Sequence, residues 1–191
     1  MGPRTRPIRL LAALSACLVL AAGSTRPALA SSMTATEAVS AGTLGFNSAP
    51  GGIALATVLS GYDQTATSAY SLDVADLSGS GAGWNITATS TTFTTGSQTL
   101  ATTATTVSAN PGSVCDTAGQ CSAYAATGTV TYPYTMPAAA VAPAATKLVA
   151  NAANNGMGGQ TLNFTFGMGV NGGAYAGNYI STWTFSLVSG P

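Results

Sequence analysis

From Tyr70 onward, apolar residues recur at every second position in several runs. In "YSLDV" Tyr70, Leu72 and Val74 share one side, and in "GWNITATSTTF" Trp84, Ile86 and Ala88 do. "VTYPYTM" repeats the pattern with Val130, Tyr132, Tyr134 and Met136, and "LNFTFGMGV" with Leu162, Phe164, Phe166, Met168 and Val170. The closing run "NYISTWTFSLVSGP" carries it through Tyr179, Ser181, Trp183, Phe185 and Leu187. A period of two is the signature of strands with one buried face, because successive side chains point to opposite sides of a sheet. Thr occupies many of the opposite positions, where its branched Cβ suits a strand and its hydroxyl can meet solvent.

The segments between these runs, "SAPGG", "SGSGAG", "ANPGS", "NNGMGG" and "NGGAYAGN", concentrate Gly, Pro and Asn and predict turns. Pro133 falls inside one run and predicts an edge strand or a bulge, since proline cannot donate to a ladder. "MPAAAVAPAATKLVANAA" predicts a long connection, interrupted by Pro137 and Pro143, with a short strand or a helical turn near Lys147–Ala150. Short strands at this spacing predict an all-β fold, an antiparallel β-sandwich of Greek-key-like type.

The first thirty residues follow different rules. "MGPRTRPIR" is basic, Leu10–Ala22 is apolar, and Ala28-Leu29-Ala30 precedes two serines, which predicts a secretory signal peptide over residues 1–30 and a single domain over 31–191. "LSAC" also has the form of a lipobox, the alternative in which Cys17 is lipidated. Beyond the signal no stretch approaches the ~18 apolar residues of a membrane span, so no transmembrane segment is expected.

Removing the signal changes the charge. Arg4, Arg6, Arg9 and Arg26 leave with it, and Lys147 faces Glu37, Asp63, Asp73, Asp76 and Asp116, a net charge of −4. One lysine cannot neutralise a run of phosphates, which excludes nucleic acid as a partner.

Candidate chemistry is sparse. The chain has no His, which excludes a His-based triad or a His-ligated metal, and no cofactor is expected. Asp73 and Asp76 in "DVAD" could suggest a glycosidase pair, but a separation of three on a strand sends them to opposite faces, and turn formation explains them better. A calcium site built on them lacks any supporting spacing. Cys115 and Cys121 in "CDTAGQC" are expected to pair in an oxidising compartment, stapling a loop for about 2 kcal/mol.

Trp84 and Trp183 lie in phase with Ile86 and with Phe185 and Leu187, the placement of core residues. Tyr62, Tyr124 and Tyr175, in loop-like or Gly-rich surroundings, are the candidates for exposed aromatic contact.

"LDVADLSGSGAGWNITATSTTF" and "GNYISTWTFSLVSGP" together resemble the two halves of the WxL-type cell-wall-binding surface domain of Gram-positive bacteria. Trp84 and Trp183 match the paired motif tryptophans, while Ile86 and Phe185 stand where the motif has leucine. The resemblance covers Ala41–Pro191. It implies a secreted, non-enzymatic, extracellular domain held non-covalently on peptidoglycan or another wall glycan, often working with other surface proteins. The other class weighed is a structural subunit of a surface assembly that docks through an edge strand.

Overall fold

Sheet pairing in the computed structural model, which describes residues 33–191, separates ten strands into two layers. The expected signal peptide and Cys17 lie outside the described residues. Val39–Pro191 form one compact unit.

The strands are β1 (Leu44–Phe46), β2 (Gln64–Asp76), β3 (Trp84–Thr91), β4 (Thr105–Val107), β5 (Gly112–Cys115), β6 (Tyr134–Thr135), β7 (Ala138–Ala139), β8 (Thr146–Asn151), β9 (Gly158–Val170) and β10 (Trp183–Ser189). The first sheet runs β1-β2-β9-β4-β6, with β5 also on β9, and the second runs β10-β3-β7, with β8 also on β3. Every pairing is antiparallel except the two-residue β3–β7 contact. Among these neighbours only β1 and β2 are consecutive in the chain, so long connections do the work that hairpins do in simpler sheets.

β2 and β9 form the backbone of the first sheet, pairing along 13 residues from Gln64↔Val170 to Asp76↔Gly158. Both obey the predicted alternation, with Leu72 and Val74 meeting Leu162, Phe164 and Phe166 in the core. Facing them from the second sheet are Trp84, Ile86, Ala88, Leu148 and Val149, all buried, so the two sheets close on one apolar layer as a sandwich. Burial of such side chains contributes roughly 1.5–3 kcal/mol each.

Two expectations change in detail, and a third resolves to one of its alternatives. "VTYPYTM" yields only the two-residue β6, with residues 130–133 outside any strand. Its inward side chains still reach the core, Met136 fully buried and Tyr134 nearly so. β6 ends the β1-β2-β9-β4-β6 path, which suits the proline just before it. Of the two alternatives near Lys147–Ala150, the strand forms, as β8. On β3 the outer face is not in solvent: Asn85 and Thr89 are buried, donating from Nδ2 to Gly190 O (2.7 Å) and from Oγ1 to Pro143 O (2.8 Å). The proline-bearing connection covers this face, and the side-chain hydrogen bonds offset the cost of burying polar groups.

Candidate functional site

The two tryptophans sit in unlike surroundings. Trp84 opens β3 with its ring fully buried, its Nε1–H donating to Gly156 O at 3.0 Å and Tyr124 stacked on it at 5.8 Å between centroids. Asn151, also fully buried, holds the neighbouring loop by accepting from Ala125 N (2.9 Å) and donating to Asn155 O (2.8 Å). Gly83 turns into β3 with φ 74°, and a Cβ there would come within 2.6 Å of Asn151 O. Gly156 is equally constrained: a Cβ would lie 2.7 Å from Trp84 Nε1. Backbone this close to the indole leaves only glycine as a fit. Cys115 and Cys121 pair as a disulfide, Cα atoms 5.6 Å apart, beside the same end of β9.

Trp183 starts β10, which pairs with β3 alone and so borders the second sheet. Trp183, Phe185 and Leu187 alternate inward as expected but remain half-buried. The Trp183 ring packs on Phe166 at 4.9 Å and edge-on to Phe93 at 6.2 Å. Phe185 stacks with Tyr70 at 6.1 Å. These four aromatics, Tyr70, Phe93, Trp183 and Phe185, floor an open groove of about 570 Å³ whose rims are Pro50–Leu55 on one side and Asn178–Thr182 on the other. Its lining contains no charged side chain.

The Pro50–Leu55 rim was not legible as a site element. Ile53, Leu55 and Thr57 do alternate inward, a period-two pattern in "IALAT", but the segment lies between "PGG" and "SGY" and pairs with no strand. It is tied by side chains: the Tyr70 hydroxyl donates to Gly51 O (2.7 Å) and Gln64 Nε2 to Val58 O (2.9 Å).

Tyr179 lies at the groove's rim rather than in β10, half-buried against the Leu100, Ala104, Met168 and Val170 cluster, its hydroxyl donating to Tyr175 O at 2.9 Å. Tyr175 and Tyr62 are exposed, at 66% and 79%. Their loops meet, since Asp63 Oδ1 accepts from Gly172 N at 2.8 Å. Tyr124 is elsewhere, its amide bonded to Gln160 Oε1 near the opposite end of β9, about 33 Å along the strand from Val170 at roughly 3.3 Å per residue. It is half-buried, its hydroxyl donating to Asn110 Oδ1, and burial pushes its phenol up to about 12. The three tyrosines therefore form no common surface.

Asp73 and Asp76 lie on opposite faces of β2. Asp76 is buried at the strand end, where Oδ1 accepts from the Ser78 amide (3.1 Å) and hydroxyl (2.6 Å). Asp73 is raised above the usual carboxylate range, first by burial and then by the charge of Asp116. Asp116 reaches this spot from beyond β5, and its Oδ1 accepts from Thr161 Oγ1 at 3.1 Å. Nothing in the local sequence around Asp73 points to Asp116, because the pairing of β5 on β9 brings them together. Among the described residues no group of three or more His, Cys, Asp or Glu gathers to hold a metal. No helix of the described residues is long and apolar enough to cross a membrane.

A histidine-free antiparallel sandwich with an open, uncharged aromatic groove has the build of a binding module. The family model described as "WxL domain surface cell wall-binding" matches residues 35–185, and the chain belongs to that family. It is thus a cell wall-binding surface domain, and both motif tryptophans lie inside the matched region. No curated protein and no solved structure gives a significant match.

Proposed function

We propose that this chain is a secreted, non-enzymatic surface protein that holds to peptidoglycan by non-covalent contacts, through the groove beside Trp183. The observation that carries this reading is the half-buried aromatic floor of the groove, left open along the free side of β10 in a domain whose family binds cell walls. Exposed Tyr62 and Tyr175 extend the contact surface near the groove's Tyr179 rim. Tyr124 is not part of it, because its ring packs on Trp84. Asp73 and Asp76 are disfavoured as an acid pair for hydrolysis by their opposed faces.

The test is co-sedimentation of the purified protein with isolated walls, followed by analysis of the supernatant for released fragments. Saturable sedimentation without fragments is expected, weakened in a Tyr62→Ala/Tyr175→Ala variant that melts normally. Protein left in the supernatant at every wall concentration overturns the reading.

The second reading, a subunit of a surface assembly or an adhesin contacting other surface proteins, is favoured by the sheet ends at β10 and β6. Unpaired strand edges can accept a further strand. It predicts salt-independent oligomers in sedimentation velocity.

A further inference from the structure

We infer that the groove takes an uncharged, N-acetylated glycan strand, and not the peptide stems or the anionic polymers of a wall. This rests on the wall-attachment reading and narrows its ligand.

The floor is apolar and aromatic. Tyr70, Phe93, Trp183 and Phe185 offer aromatic surface to the C–H face of a pyranose ring. The rims are neutral and mixed, with Ile53, Leu55 and Ile180 set among polar groups. On one side are Asn178 and Thr182; on the other, Gly51–Leu55 belongs to no strand and, among the described residues, donates no backbone hydrogen bond. Free amides of this kind, with the carbonyls beyond Gly51, whose own O accepts from Tyr70, match the hydroxyl and acetamido groups that flank a sugar's apolar face. At about 570 Å³ the groove falls within the roughly 300–1,000 Å³ typical of small-ligand sites, room for a short oligosaccharide.

Charge excludes the alternatives. With no cation in the lining, a phosphate or carboxylate entering the groove would exchange water for neutral donors alone, with no opposite charge to offset its desolvation, which is costly. Lys147 is the single basic side chain of residues 33–191, and its Nζ donates to Pro191 O at 2.8 Å, away from the groove lining.

The experiment titrates the protein with a soluble N-acetylglucosamine tetramer, following calorimetry and tryptophan fluorescence together. Because Trp84 is fully buried, a fluorescence change on binding reports Trp183. Saturable heat and a fluorescence change are expected. Thr182→Glu and Ile180→Glu, at exposed lining positions, are expected to weaken binding by roughly tenfold or more with unaltered melting. Trp183→Phe is expected to abolish the fluorescence change while heat remains. If the protein sediments with walls but ignores the tetramer, or binds free stem peptides or an anionic wall polymer in a way that Thr182→Glu disrupts, the inference fails and the wall reading stands. If it does not sediment with walls, the wall reading itself fails and takes the inference with it.

Discussion

Trp84 and Trp183 occupy facing strands of one sheet, with Trp183 paired to Ser90 and Trp84 to Ser189, yet one is sealed and the other is open. β3 lies between β10 on one side and β7 and β8 on the other, and the fully buried Trp84 indole is closed in by the Tyr124 ring and the Gly156 backbone. β10 has β3 on one side only, and its inward face looks partly into the groove. The same residue type thus serves as a keystone at one end and as accessible surface at the other. What separates them is sheet position, since a border strand shares the core with fewer neighbours.

If that contrast is real in solution, truncation must tell the two apart. Trp84→Ala should cost roughly 3–5 kcal/mol, the range for deleting a buried large aromatic, and should leave Gly156 O without its donor. Trp183→Ala should cost less, about 1–2.5 kcal/mol, because part of its surface is already wet. Urea unfolding of both variants checks this, and equal losses would mean that the groove is closed in solution.

Alkaline titration probes the sealed end. Burial raises the phenols of Tyr124, to about 12, and of Tyr132 further, above the ordinary value near 10. A raised folded-state value favours the native state while the phenol is neutral, so this stability is whole below about pH 10 and is lost as pH climbs toward 12. Urea midpoints should be level from pH 7 to 9 and fall between about pH 10 and 12, with a shallower fall in Tyr124→Phe. A midpoint insensitive to pH through that window would show that these rings are solvated.

The smallest effect belongs to the outer face of β2. Asp73, raised by burial and by Asp116, favours folding when protonated, below about pH 3.8, and that contribution disappears as pH rises through its folded-state value. At neutral pH the ionised pair opposes folding, so Asp73→Asn should raise the melting temperature slightly at pH 7 and leave it unchanged at pH 3. A lowered melting temperature at pH 7 would mean that the hydrogen bond from Ser48 outweighs the repulsion.

Much of the fold was legible from local pattern. The alternations around Leu72, Ile86, Phe164 and Phe185 all lie on strands with the expected side inward, and the spacing of Cys115 and Cys121 suited the disulfide. β1 and the Ile53–Thr57 alternation were not legible, because a three-residue strand or a short alternation between turn residues carries too little periodicity to stand out. The "VTYPYTM" run misled in length because its inward side chains are held by packing on the core while residues 130–133 make no ladder. The groove was invisible for a different reason: its floor comes from β2, β10 and Phe93 and its rim from Pro50–Leu55, segments far apart in the chain.

Residue order settled which way each side chain points, which segments turn, how little charge the domain carries, and which family it belongs to, since these depend on neighbours two to four positions away or on the motif residues themselves. It could not settle which tryptophan is covered. "GWNIT" and "STWTF" alternate alike, and alternation specifies a face without saying what lies over it. Covering depends on pairings such as Trp84↔Asn151 and Trp183↔Ser90, between residues that the chain brings together only by closing long loops. The closing strand therefore owes its alternation to its sequence and its half-open face to its place at the border of the sheet.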